Sequence, residues 1–325
     1  MNYSFVNKIF QEDHSFNALA ADIFFYQYKQ NKIYRQWCDT LQINITKIQL
    51  IEDYPFLPIS FFKTNTVICN DGSYETVFES SGTTKSLQSK HYIKDVSLYI
   101  KSFTKCFELF YGDARQWCII GLLPSYLQQK NSSLIKMADV LIKRSEKRFS
   151  GFYLTEYEKL QTVLQQLQNK KQKTLLIGVT YALLDFAEQF PMQLDYTTVM
   201  ETGGMKGRRK ELTRAEVHNI LKKQFKLEQL HSEYGMTELL SQAYSKAGGK
   251  FYCPPWMKVL VRDEEDPLQV KLSGKGVLNI IDLANIYSCS FIATDDVGEV
   301  FEDGSFEVYG RLNNSDIRGC SLMVV

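Results

Sequence analysis

Four short segments of this chain gather residue types suited to a phosphate-bearing ligand. Glu79-Ser80-Ser81-Gly82-Thr83-Thr84-Lys85-Ser86 is rich in hydroxyls around one glycine. Backbone N–H groups freed at Gly82, with the hydroxyls of Ser80, Ser81, Thr83 and Thr84, can wrap successive phosphate oxygens, and Lys85 adds positive charge. The spacing is not that of a P-loop, and alone the segment also reads as a polar turn. In His231-Ser-Glu-Tyr-Gly-Met-Thr-Glu238, the ring of Tyr234 can stack on a purine and Gly235 lets the backbone, with Met236, approach a ligand. Thr237 and Glu238 offer a hydroxyl and a carboxylate to phosphate and Mg2+. The same run also reads as a strand end feeding a helix cap. Phe291-Ile-Ala-Thr-Asp-Asp-Val-Gly-Glu299 sets Asp295 and Asp296 after an apolar strand, where a carboxylate could accept both hydroxyls of a ribose; the alternative is a β-turn with turn-favouring acids. Finally, Tyr309-Gly-Arg311 ends a hairpin with an arginine that could hold ribose or phosphate.

The elements that must position these segments alternate. The apolar runs Trp117–Pro124 and Thr174–Thr180 are each followed by an amphipathic stretch, Ser133–Lys143 and Tyr181–Gln189. Strand, turn and helix in succession predict an α/β fold, a largely parallel sheet whose strands, buried on both sides, read as continuous apolar runs. From about Phe251 the texture changes to short strands: Lys258–Arg262, Gly276–Ile281 and the two runs around Asp303-Gly304, a strong hairpin signal. The expected organisation is an α/β core over 1–250 and a small β-rich subdomain over 251–325.

Bulk properties exclude several classes. Lys plus Arg number 38 and Asp plus Glu 37 among 325 residues, so no global field concentrates nucleic acid or an anionic membrane on the surface. No apolar run reaches the ~18 residues a membrane span needs, and the N-terminus lacks the pattern of a signal peptide, so a cytoplasmic location is expected. The seven cysteines are scattered, without a Cys-x-x-Cys pair. That argues against a disulfide framework or a zinc site and for small buried apolar residues.

In order and spacing the four segments resemble the motifs of the adenylate-forming superfamily, which includes acyl-CoA synthetases, luciferases and peptide-synthetase adenylation domains. Ser80–Thr84 is similar to its Ser-Ser/Thr-Gly-Thr-Thr phosphate loop, and Tyr234–Glu238 to its Tyr-Gly-x-Thr-Glu motif. Thr294-Asp-Asp296 stands where Thr-Gly-Asp is usual, and Arg311 falls on its Gly-Arg motif. Within the superfamily, three stretches resemble acyl-protein synthetases of the LuxE type: Leu123-Pro-Ser-Tyr-Leu with Asn131-Ser-Ser-Leu, Glu201-Thr-Gly-Gly-Met-Lys-Gly-Arg-Arg-Lys-Glu-Leu212, and Ile317-Arg-Gly-Cys-Ser-Leu.

The resemblance implies the large body of an adenylate-forming enzyme, ATP and Mg2+ as cofactors, and Glu201, Thr202, Gly203 and Gly204 lining the adenine pocket. It implies activation of a carboxylic acid, most simply a fatty acid, as acyl-adenylate, with Lys85, Thr237 and Glu238 acting at the phosphates. The acyl group then passes to a thiol: Cys320, or that of a partner reductase, a carrier protein or CoA. Three departures stand out. Lys85 occupies a position commonly glycine, Asn313 replaces the hinge acid, and only a short tail follows Arg311 in place of a mobile domain bearing a catalytic lysine. A cation for the α-phosphate would then come from Lys85, Lys206, Arg208 or a partner. Two other readings remain open: a CoA or carrier-protein ligase of the phenylacetate-CoA ligase type with Cys320 structural, and a non-catalytic nucleotide-binding subunit.

Overall fold

The computed structural model describes residues 8–11, 15–70, 72–80, 87–123, 131–203 and 212–312. The chain opens with α1 (Phe16–Gln30) and α2 (Lys32–Thr40), which meet at Asn31. That residue ends the first helix and caps the second, its side-chain oxygen accepting from Tyr34 N at 3.0 Å. After β1 (Leu57–Pro58) and α3 (Phe61–Thr64) comes the antiparallel pair β2 (Thr76–Glu79) and β3 (Lys90–Ile93). Then follow α4 (Val96–Tyr111), β4 (Cys118–Leu122), α5 (Ser133–Ser145), β5 (Gly151–Phe152), α6 (Tyr157–Asn169), β6 (Thr174–Val179), α7 (Thr180–Gln189), β7 (Thr197–Thr202), α8 (Arg214–Phe225), β8 (His231–Tyr234) and β9 (Ala243–Ser245). The last stretch is all strand: β10 (Met257–Arg262), β11 (Val270–Lys271), β12 (Gly274–Asp282), β13 (Phe291–Val300) and β14 (Phe306–Arg311).

One sheet has the order β5-β4-β6-β7-β8-β9. Its strands are parallel except β9, which runs antiparallel to β8. Neighbouring residues of its strands feed opposite faces. Cys118, Ile120, Leu122, Leu176 and Val199 enter an apolar cluster with α6, α7 and α8. Ile119, Leu175, Ile177 and Met200 enter a larger cluster with α4. Both faces are covered, which is why these strands read as unbroken apolar runs. Truncating a fully buried residue such as Leu176 to Ala would cost ~2–5 kcal/mol.

The second sheet has the order β1-β13-β12-β10-β11, with β14 on β13. β1 joins it in parallel, Leu57 opposite Ile292, so a dipeptide from early in the chain lies beside strands from its far end. The side chains of Val259, Val261, Leu278, Ile280 and Phe291 belong to the larger cluster, alongside Phe24 of α1 and Phe103 of α4. The expected Asp303-Gly304 turn is present, with Gly304 at φ 78° and Val300 opposite Phe306. The turn alternative for Asp295 and Asp296 does not hold, because both lie inside β13. Of the six cysteines among the described residues five are buried, none is in a disulfide, and Cys253 is partly exposed.

Candidate active site

Ligands of open parallel sheets gather beyond the carboxyl ends of the strands. For β6, β7 and β8 those ends are Val179, Thr202 and Tyr234. Thr180, the next residue after β6, donates its hydroxyl to Gly203 O at 2.8 Å and to Glu201 Oε2 at 3.1 Å, tying the ends of β6 and β7 together. Gly203 has φ 68°, left-handed backbone that a side chain would strain.

Tyr234 closes β8. Its ring is buried against Phe251 and Phe306, with centroids 5.8 and 5.2 Å away. Its hydroxyl donates to Asp296 Oδ2 at 2.7 Å. Asp296 on β13 lies opposite Arg311 of β14, and Arg311 Nε donates to its Oδ1 at 3.0 Å. Burial, then the Asp296 charge, holds the Tyr234 phenol well above its usual range, while Asp296 raises Arg311. Three strands from two sheets thus converge on one carboxylate. A carboxylate offers about four lone-pair sites; two are spent here. The Arg311 side chain is 74% exposed, so this cluster opens outward.

Residues 235–242, between β8 and β9, are irregular, and 238–242 are buried. Met236 is half-buried against the larger core cluster. Thr237 O bonds with His91 Nδ1 at 2.9 Å, and Glu238 O accepts from Asn285 Nδ2 at 2.7 Å. The Glu238 carboxyl is raised by burial; a hydrogen bond from Ser89 and the charges of Arg311 and Lys63 oppose that rise. Ser80 and Ser89 close the neck of the segment between β2 and β3 through two bonds, Ser80 N to Ser89 O at 3.0 Å and Ser89 N to Ser80 Oγ at 2.9 Å. The described flanks of the hydroxyl-rich segment therefore stand beside Glu238.

A second acidic pair underlies this region. Burial would raise the Glu201 carboxyl, yet His218, Arg214 and Ser232 outweigh it and hold the group below its ordinary value. His218 Nε2 and Arg214 Nε lie 3.7 and 3.5 Å from its Oε1. Glu233 receives the Thr202 hydroxyl and, against Thr202's opposing effect, is pushed up by burial to about 7. A Cβ at Gly235 would run into Glu233 Oε1, so a larger residue there needs the Glu233 carboxylate to shift.

Of the residues singled out in the sequence, Ser80, Glu201, Thr202, Gly203, Tyr234, Gly235, Met236, Thr237, Glu238, Asp296 and Arg311 are placed, and Tyr234, Asp296 and Arg311 touch. Ser81, Gly82, Thr83, Thr84, Lys85, Gly204, Lys206, Arg208 and Cys320 lie outside the described residues. Phe186 of α7 belongs to the core, packed on Tyr157, Phe190 and Phe225. The pattern missed Lys63, His91, Thr180, Arg214, His218, Glu233 and Asn285. Only Arg214 and His218 carried a signal, four residues apart on one helix face.

The chain matches the family described as acyl-protein synthetase, LuxE, over residues 6–325. It belongs to that family. Membership makes it an acyl-protein synthetase, a ligase that activates a carboxylic acid. Two relatives, each named long-chain-fatty-acid--luciferin-component ligase, come from Aliivibrio fischeri and Vibrio harveyi. Each is 24% identical, over 94% of this chain and 86% of its own length. Among solved structures, a 2-hydroxyisobutyryl-CoA ligase in the postadenylation state with R3-HIB-AMP has a TM-score of 0.67 at 10% identity, covering 91% of this chain and 67% of that one. ATP-bound MatB from Rhodopseudomonas palustris has a TM-score of 0.54 at 15% identity over 72% of this chain. The acyl-protein synthetase chain spans 47% of MatB's length, and these structures share its fold. No helix among its described residues is long and apolar enough to cross a membrane.

Proposed function

We propose that this acyl-protein synthetase uses ATP and Mg2+ to activate a long-chain fatty acid as its acyl-adenylate and passes the acyl group to Cys320, for delivery to a partner protein such as a reductase. The observation that carries the reading is the convergence of Tyr234, Asp296 and Arg311 beside Glu238. The spare lone pairs of Asp296 suit a ribose diol, and Arg311 neutralises the charge gathered there. Glu201–Gly203 at the end of β7 would flank the adenine, and Ser80–Thr84 with Lys85 would embrace the phosphates.

Glu238 would hold Mg2+. No group of three His, Cys, Asp or Glu poised for a metal occurs among the described residues, and one carboxylate suits an ion that keeps waters and takes its other ligands from phosphate. The ion would neutralise charge on the phosphates. The fatty-acid carboxylate attacks the α-phosphorus and pyrophosphate leaves; a thiolate then attacks the adenylate carbonyl and AMP leaves. The chain's share of the work is alignment of two anions and stabilisation of developing charge. A thiolate accepts acyl groups far better than a hydroxyl near neutral pH.

Labelled fatty acid with ATP tests the reading. Wild type should acquire a label that neutral hydroxylamine removes, whereas Cys320→Ser should form acyl-adenylate and stay unlabelled. Label retained by Cys320→Ser would move the acceptor to another cysteine. Adenylate without label in either protein would point to CoA or a carrier thiol as the direct acceptor.

A further inference from the structure

Thr237 and Glu238 sit in an irregular, largely buried segment. Such a segment has no ladder or helix to satisfy its peptide groups, so side chains must do it. Asp282 at the end of β12 takes one share: its Oδ2 accepts Leu240 N at 2.8 Å and Ser241 N at 2.9 Å, and its Oδ1 accepts the Ser241 hydroxyl at 2.6 Å. That alone fastens the segment to the second sheet. The preceding two carbonyls are fastened separately, Thr237 O by His91 of β3 and Glu238 O by Asn285. These contacts span 146 and 47 residues of sequence, so they require the assembled fold.

A carbonyl cannot donate, so the geometry assigns the hydrogen of His91 to Nδ1 and leaves Nε2 as an acceptor in the neutral ring. The other polar ends, Nε2 of His91 and Oδ1 of Asn285, are buried as well, and the Asn285 side chain acts on the His91 ring. His91, Asn285, Leu98, Leu240 and Ser288 border a small cavity of about 10 Å³. Burying two polar side chains here costs desolvation that apolar residues filling the same space would not. The explanation lies in what the two donors grip, the backbone of the hydroxyl and the carboxylate assigned to phosphate and metal.

We propose that His91 and Asn285 are positioning residues for acid activation, a latch on the carbonyls of Thr237 and Glu238 that fixes their side chains toward the ATP phosphates and Mg2+. This rests on the assignment of Glu238 made above. Neither residue touches a reactant; each acts through the backbone it holds.

Two variants separate positioning from bulk stability. His91→Phe keeps a ring of similar volume and loses the donor, whereas His91→Asn returns a donor near the position of Nδ1. In acid-dependent pyrophosphate exchange, His91→Phe should raise the KM for Mg-ATP and lower kcat together by about tenfold, the scale seen when a group behind a metal ligand is removed. The KM for the fatty acid should not move, and His91→Asn should recover most of the loss. Equal impairment of both variants, or losses that only follow the folded fraction, would overturn the proposal. Glu238→Gln run in parallel distinguishes the two failures. An unchanged Mg2+ response in Glu238→Gln removes the site assignment, while a lost response there with wild-type kinetics in His91→Phe removes the latch alone. Should the His91 variants fail to fold, nitrogen NMR of histidine-labelled wild type at pH 7.5 still decides: the proposal requires the Nδ1–H tautomer at His91, and the Nε2–H tautomer contradicts it.

Discussion

The buried carboxyl of Glu233 makes the stability of this fold depend on pH. It lies near the end of β8, 7% exposed, with Thr202 donating to it and Glu201 adding a repelling charge. Burial is the main cause of its rise from the ordinary 4.5 to about 7. A folded-state value above the unfolded one means the group's contribution is fully present below about pH 4.5 and is lost as pH rises through about 7. At roughly 1.4 kcal/mol per unit, the loss by pH 8.5 approaches about 3 kcal/mol. Glu233→Gln keeps an acceptor for Thr202 and never charges, so it escapes that loss. Urea unfolding of both proteins between pH 4.5 and 8.5 should show the variant gaining on wild type by about 3 kcal/mol across the window, most of it below pH 8. Buried His91 and half-buried His231, both lowered by burial to about 4, act in the opposite sense: their contribution is present above about 6.5 and lost as pH falls toward 4. They are common to both proteins and cancel in the difference. A difference that stays constant with pH would refute the reasoning.

Other consequences follow from the same geometry. Asp296→Ala should weaken ATP binding by ~1–3 kcal/mol in calorimetry, because ribose hydroxyls would lose a charged acceptor; equal binding would remove Asp296 from the nucleotide site. Gly235→Ala should destabilise the fold through its collision with Glu233, and pairing it with Glu233→Ala should recover part of the loss, a coupling of ~0.5–3 kcal/mol in a double-mutant cycle. Strict additivity would show that the two residues do not meet.

Much of the fold was legible because its strands are buried on both faces. Cys118–Leu122 and Thr174–Val179 had to be apolar throughout, and the helices after them start within a residue of the expected positions. β1 was not legible, since two residues carry no periodicity and Leu57 finds Ile292 only in the folded chain. The site divides in the same way. Tyr234, Asp296 and Arg311 were visible through motif order, but that order does not say that Tyr234 gives its hydroxyl to Asp296. His91 and Asn285 were invisible, each being a lone polar residue whose partner is distant in sequence. Glu233 stood next to Tyr234 inside the motif, yet only burial reveals its raised carboxyl.

The central claim is that this acyl-protein synthetase activates a carboxylic acid with ATP. Isotope exchange between labelled pyrophosphate and ATP, run with Mg2+ across carboxylic acids of increasing chain length, tests it most directly. The account predicts exchange that requires the acid, rises with long-chain fatty acids and is lost in Glu238→Gln. Wild-type protein that binds ATP yet shows no acid-dependent exchange with any chain length would contradict it.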